Sequence, residues 1–191
     1  KIMFVDSHCH IDFPELADHL PAVLDAMLKE RVTHALCIGV NLPDLPRVLR
    51  IAADHPNVYA SVGVHPDYED TAEPSVDMLC ELAQRPKVVA IGETGLDYYR
   101  LAGRDLAEME WQRERFRVHI RAARASGRPL VIHTRSASAD TLRLIREEKG
   151  GEAGGVFHCF TETADVARAA LDLGFHISFS GILTFKNASE L

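Results

Sequence analysis

No Cys-x-x-Cys pair occurs in the 191 residues; the four cysteines stand at positions 9, 37, 80 and 159. That spacing excludes a zinc knuckle and a thioredoxin-like centre, and four reduced thiols are expected. Long apolar runs are also missing. The longest, such as Val88 to Gly92, fall far short of the roughly 20 residues that a membrane-spanning helix needs. The N-terminus, Lys-Ile-Met-Phe-Val-Asp, meets charge at once and has neither the apolar centre nor the small-residue cleavage site of a secretory signal. No membrane association and a cytoplasmic location are therefore expected. Positive charge is in deficit, with 21 basic against 28 acidic residues and a net charge of −7, so a broad electrostatic footprint for duplex nucleic acid is excluded. Any nucleic-acid contact has to be local. Metal ions offset negative charge inside a site, so acidity leaves a phosphodiester substrate open. The glycine-rich stretch Gly150 to Gly155 lacks the Lys-Ser/Thr of a phosphate-binding loop.

A hydrophobic content of 47% suffices for one sizeable core, and a single domain over residues 1–191 is expected. Short β-rich runs recur at Phe4-Val5, Ala35 to Val40, Val58 to Val64, Val88 to Ile91, Leu130 to Ile132, Val156-Phe157 and His176 to Ile182. Between them lie helical periodicities. Leu16, Leu20, Val23, Leu24, Met27 and Leu28 form one stripe, Leu45, Val48, Leu49 and Ala52 a second, and Met109, Phe116, Ile120 and Ala123 a third. The third is expected to stop at Gly127-Arg128-Pro129. A fourth, with Val166, Ala169, Ala170 and Leu173, has Thr163 as cap and Gly174 as terminator. Seven strands alternating with helices imply right-handed crossovers and a parallel sheet. Periodicity alone leaves open whether that sheet curls toward a barrel or is doubly wound.

Polar residues cluster at the C-terminal ends of these strands, where parallel barrels build their active sites. His8 and His10 share one face of a strand because its period is two. Glu93 closes a buried apolar strand, a costly position for a carboxylate unless a cation compensates it. His133 and His158 end two further strands. Five such groups at equivalent ends point to metal binding, since imidazole and carboxylate are common ligands. Aromatic rings at Tyr98 and Tyr99 can stack on bases, while Arg100, Arg135 and Lys186 offer phosphate contacts. Asp6 and Asp97 are expected to orient neighbouring groups. His19, His34, His55, His119 and His176 match no ligand pattern and read as structural or solvated.

The segments FVDSHCHID, GVHP, IGETGLDYYR, VIHTR, FHCF and SGILTFKNA resemble successive motifs of the TatD deoxyribonuclease family, within the amidohydrolase-like barrels. The resemblance implies a parallel (β/α)8 TIM-type barrel, here without its eighth strand and C-terminal helices. It implies two divalent ions, of magnesium, manganese or zinc. His8 and His10 would bind one, Glu93 would bridge both, and His133 with His158 would hold the second. His65, in GVHP, would face the substrate phosphate beside Glu93 as a catalytic group. The implied reaction is metal-assisted phosphodiester hydrolysis in DNA, acting on single strands or 3′ ends. A Thr-Asp-x-Pro motif that such proteins carry is absent before Leu191, so an incomplete barrel and first metal shell are expected. Two rivals remain open: hydrolysis of another ester or amide on the same scaffold, and a non-catalytic binding protein that retains the metal residues.

Overall fold

Apolar strands separated by amphipathic helices bury both faces of a sheet when the strands run parallel and the crossover helices cover them. A computed structural model describes residues 2–191 and has this arrangement. The elements are β1 (Phe4–Cys9), α1 (Pro14–Ala17), α2 (Leu20–Lys29), β2 (Val32–Cys37), α3 (Leu45–Asp54), β3 (Val58–Val62) and α4 (Val76–Ala83). They continue with β4 (Val88–Asp97), α5 (Glu110–Ser126), β5 (Leu130–Arg135), α6 (Ser138–Glu147), β6 (Gly155–Phe157), α7 (Ala164–Asp172) and β7 (Phe175–Ile177). Each strand pairs in parallel with its sequence neighbour, in the order β1 to β7. The sheet curls into a half-barrel with the helices around it, and β1 and β7 are its edges. Phe4 and Val5 on β1 are accordingly exposed.

Most of the core lies between the sheet and the helices. Phe116 and Ile120 of α5, Leu144 and Ile145 of α6 and Leu130 and Ile132 of β5 are all fully buried there. Truncating Phe116 to alanine would cost about 3–5 kcal/mol in lost transfer energy and cavity formation. A smaller cluster of Ile38, Val40, Ala90 and Val131 fills the concave side. Among the described residues, no helix is long and apolar enough to cross a membrane. The four cysteines are unbridged.

Local chemistry explains the element ends. Gly127 adopts φ 66 and terminates α5, a left-handed conformation that costs glycine little. The Thr163 side chain accepts from Val166 N–H at 3.4 Å and caps α7. Most strand ends shift by a few residues from the sequence expectations, and three of the differences have a clear local cause. The stripe from Leu16 to Leu28 is split between α1 and α2, because Pro21 near the start of α2 cannot donate to the carbonyl four residues back. The strand expected over His176 to Ile182 stops at Ile177 and gives way to a 3-10 turn over Gly181–Thr184. Its partner β6 is only three residues long, so the ladder has nothing further to pair with. Strand β4 runs past Glu93 to Asp97, where it pairs with β5 through Gly95 to His133, Leu96 to Thr134 and Asp97 to Arg135.

Candidate metal centre

The C-terminal ends of the strands are locked together by main-chain bonds made by the site residues themselves. Glu93 N–H donates to Gly39 O, His65 N–H to Val40 O, and His158 N–H to Ile132 O, each at 2.8 Å. Rigid sheet rather than loop thus sets where these side chains start. Glu93 sits where the β4–β5 register shifts between Ile91 and Thr94. Gly92 makes that shift possible: its φ is 141, and a Cβ there would lie 2.5 Å from Val131 O, so a side chain would be both strained and blocked.

Glu93 is 4% exposed and faces three imidazoles. Its oxygens lie 3.2 Å from His8 Nε2, 3.5 Å from His65 Nε2 and 3.5 Å from His133 Nδ1. Burial opposes its charge, but the imidazoles of His133, His65 and His8 around it outweigh burial and hold the carboxyl well below its usual range. His133 shows the complementary balance. Burial disfavours its cation, yet Asp97 and Glu93 outweigh that and lift its pKa to about 9, so a metal ion held at Nδ1 would have to displace a proton from this ring. Asp97 Oδ2 stands 2.8 Å from His133 Nε2, which leaves Nδ1 turned to Glu93. A carboxylate fixing the ring of a ligating histidine is a common support for metal sites. Desolvation, and secondarily the neighbouring His8, lowers the pKa of His10 and takes His158 to about 4. Both rings are therefore neutral at pH 7, the form that ligates metal.

His8, in β1, and His10, immediately past its end, bring their rings together, with centroids 5.1 Å apart. The two His8 ring nitrogens and His10 Nδ1 are buried without a hydrogen-bond partner; His8 Nε2 is near Glu93 but out of alignment for a hydrogen bond. Orphaned buried imidazole nitrogens beside a buried carboxylate are costly unless a cation joins them. Ligand atoms of His8, His10 and Glu93 all lie within 4.8 Å of one another, as do those of His65, Glu93 and His133. The residues present therefore fit a divalent cation, and the mixed imidazole and carboxylate set suits zinc, manganese or iron.

The second group contains His65 where the resemblance implied His158. The His158 ring instead lies flat on His8, with centroids 3.3 Å apart and planes at 6°. His65 Nδ1 accepts from Asp67 N–H at 3.1 Å, which places the proton of the neutral ring on Nε2. That nitrogen is then a hydrogen-bond donor pointing into the site and not a free lone pair for metal.

The remaining candidate residues are distributed unevenly. Tyr98 was expected to stack on a base, but it is 7% exposed, and its hydroxyl donates to Asp140 at 2.7 Å and accepts from Arg113 at 3.1 Å. Core packing and those two bonds turn it away from solvent. Tyr99 is exposed, and the Arg135 guanidinium sits 3.6 Å from its ring centroid. Arg100 is exposed and forms no ion pair among the described residues; Lys186 is exposed as well. Asp97 buttresses His133 as described, whereas Asp6 accepts from the His8 main chain at 3.1 Å and leaves the ring alone. Two aromatic residues escaped the sequence argument. Phe13 stacks on His10, with centroids 4.8 Å apart, and Tyr68 meets His65 edge-on at 6.5 Å. With His8, His10, His65, Glu93 and His158 they line a cleft of ≈ 340 Å³. A larger apolar groove of ≈ 580 Å³ lies between α3 and α4, on the outer helical layer, and contains no histidine or carboxylate.

The family described as "TatD related DNase" matches residues 5–191. YcfH of Escherichia coli K12, described as an uncharacterized metal-dependent hydrolase, is 42% identical over 193 residues, covering 100% of this chain and 71% of that protein. YabD of Bacillus subtilis, described in the same words, is 35% identical and covers 98% of this chain and 72% of its own length. Among solved structures, the TatD homologue YjjV of Escherichia coli K12 superposes with a TM-score of 0.87 at 27% identity, over 97% of this chain and 71% of that one. With seven parallel strands and a His/Glu cluster at their C-terminal ends, this chain belongs to the TatD family of metal-dependent hydrolases.

Proposed function

We propose that this protein hydrolyses phosphodiester bonds in DNA with two divalent ions, removing nucleotides from the 3′ ends of single strands. His8, His10 and Glu93 would hold one ion; Glu93 with His133, and His158 from the adjoining strand, would hold the second. Manganese and zinc, which suit this donor set, and magnesium, which favours more oxygen ligands, are the candidate metals. When bound, the ions supply Lewis-acid polarisation of the phosphoryl group and activation of water at neutral pH. The protein does the rest. Glu93 stays ionised at neutral pH and neutralises cation charge at the centre. Asp97 keeps Nδ1 of His133 directed at Glu93. His65 presents its Nε2–H where a non-bridging phosphate oxygen accumulates charge in the transition state, a placement that stabilises the transition state more than the ground state.

The single observation that carries the DNA reading is the composition of the cleft wall: a buried shared carboxylate, a donor imidazole and two exposed aromatic rings on one opening. Phe13 and Tyr68 offer stacking surfaces at its mouth, which suits unpaired bases and not a closed duplex. Arg100, and Arg135 lying on the Tyr99 ring, would meet the phosphate backbone nearby. A net charge of −7 argues against a broad electrostatic footprint for duplex, in keeping with a strand end as substrate. Four unbridged thiols agree with a cytoplasmic enzyme.

The test is hydrolysis by the metal-loaded protein of 3′-labelled single-stranded DNA, 5′-labelled single-stranded DNA, blunt duplex, a carboxylic ester and a dipeptide. Preferential release of the 3′ label from single strands supports the proposal. Turnover of the ester or the dipeptide without release from DNA refutes it and leaves another substrate for the same centre.

A further inference from the structure

We infer that one face of α5 is a clamp that positions His65 and Asp97, with Gln112, Arg115 and His119 as its three jaws. These residues are spaced i, i+3 and i+7, so they lie along one side of the helix. They meet three consecutive residues that follow β3. Val64 N–H donates to His119 Nε2 at 3.0 Å, Arg115 Nη1 donates to His65 O at 3.0 Å, and Gln112 Nε2 donates to Pro66 O at 3.2 Å. Gln112 reaches the other side of the site as well. Its Oε1 accepts from Asp97 N–H at 2.8 Å and its Nε2 donates to Asp97 O at 3.2 Å. The two amide hydrogens are thus divided between the His65 segment and the end of β4.

The jaws are themselves held. His119 Nδ1 pairs with Arg115 O at 2.8 Å, which makes Nδ1 the donor and leaves Nε2 as the acceptor that Val64 N–H requires. Arg115 makes a two-pronged pair with Glu73 at 2.8 and 2.5 Å, and its guanidinium lies 4.9 Å from the Trp111 ring centroid. All three are buried, at 2%, 3% and 0% exposure. Burying an arginine, a glutamine and a histidine is expensive unless every polar group is paired. The same segment could have been left to water. The clamp instead dictates the orientation of two rings. The Asp67 N–H that sets the His65 tautomer belongs to the segment held through Pro66, and the Asp97 carboxylate that holds His133 belongs to the turn held by Gln112. None of the three touches the cleft, so they are positioning residues.

The rate arm of the test rests on the phosphodiesterase reading, whereas the spectroscopic arm does not. Three substitutions in the 191-residue protein separate the effects: Gln112→Glu, His119→Leu and His119→Gln. Gln112→Glu is isosteric and keeps an acceptor for Asp97 N–H, but it loses the donors to Pro66 O and Asp97 O. His119→Gln keeps an acceptor oxygen near the position of Nε2; His119→Leu does not. The readouts are the imidazole nitrogen and proton resonances of His65 and His133, bound metal per chain, and kcat and KM on single-stranded DNA. In Gln112→Glu the His65 and His133 resonances are expected to move and kcat to fall about tenfold, because small misplacement of a catalytic group is costly. Metal content at saturating metal and KM should stay within about twofold of the parent. His119→Leu should move the His65 resonances, and His119→Gln should restore them together with kcat. Unchanged resonances and kcat in Gln112→Glu, even with lowered thermal stability, would reduce α5 to a structural support and overturn the inference. An equal defect in His119→Gln and His119→Leu would do the same. If His119→Leu does not fold, Gln112→Glu and His119→Gln decide the matter. Failure of the parent protein to cleave DNA counts against the substrate reading alone, since the resonances still report on the clamp.

Discussion

Acid should weaken this protein through His119 in a way that one substitution can isolate. His119 is completely buried, and desolvation, only partly offset by its bond to Arg115 O, lowers its pKa from 6.5 to about 4. The unfolded chain takes up a proton near 6.5 while the folded chain resists until about 4. Between those values the unfolded state binds more protons, so stability rises with pH. The His119 contribution is therefore complete above about pH 6.5, declines as pH falls through that window, and is gone near pH 4. Its full size is roughly 3 kcal/mol, and about 2 kcal/mol of it should be lost by pH 5. With a urea slope of about 2 kcal/mol/M, the midpoint should drop by about 1 M on that account. Urea titrations of the parent and of His119→Gln, from pH 7.5 to pH 4.5, supply the comparison. The variant retains an acceptor for Val64 N–H but has nothing to protonate. Shifts from His10 and His158 act equally in both proteins and cancel in the difference. The gap between the two midpoints should change by about 1 M across the window, in the sense that the parent loses more. A gap that stays constant with pH would refute the argument that His119 is buried as a neutral acceptor.

Three further outcomes follow from the site geometry. His65→Ala should retain its metal and lose about a hundredfold in kcat, as expected for removing a donor to developing charge; parallel loss of metal, measured by elemental analysis, would make His65 a ligand instead. Asp97→Ala should weaken metal affinity by about ten- to a hundredfold, because the His133 ring loses the carboxylate that orients it; competition with a chromogenic chelator reads this directly, and unchanged affinity would contradict it. Phe13→Ala and Tyr68→Ala should each raise KM for single-stranded DNA about tenfold, in line with stacking worth about 1–3 kcal/mol per base; an equal rise on a strand with abasic residues at its 3′ end would show that stacking is not the cause.

How much of this was legible in the sequence depended on the range of the interactions. Strand and helix alternation, the Gly127 stop and the Thr163 cap are local properties, and each is present as read. His8, His10, Glu93, His65 and His133 converge because metal-binding side chains are few in kind and fall at strand ends. Distant partners were hidden. The extension of β4 to Asp97 depends on Gly92 and Gly95 at positive φ and on pairing with β5, none of which a hydrophobic run reveals. Tyr98 reads as an accessible aromatic until Asp140, 42 positions away, accepts its hydroxyl. Phe13 follows the FVDSHCHID segment directly and Tyr68 lies two residues past GVHP, and that proximity was the available signal. The α5 clamp spans 15 to 55 positions between partners. It appears in the sequence only as polar residues on the core side of a helix.

The central claim is that the Glu93 cluster binds divalent metal and that this metal cleaves DNA. The most direct measurement loads the chelator-stripped protein with magnesium, manganese or zinc, and determines metal per chain together with nucleotide release from 3′-labelled single-stranded DNA. Glu93→Ala is carried alongside. Two ions per chain, metal-dependent release by the parent, and loss of both in Glu93→Ala are expected, because the substitution would remove the carboxylate that would offset the metal charge. Full metal content and undiminished release in Glu93→Ala would contradict the central claim.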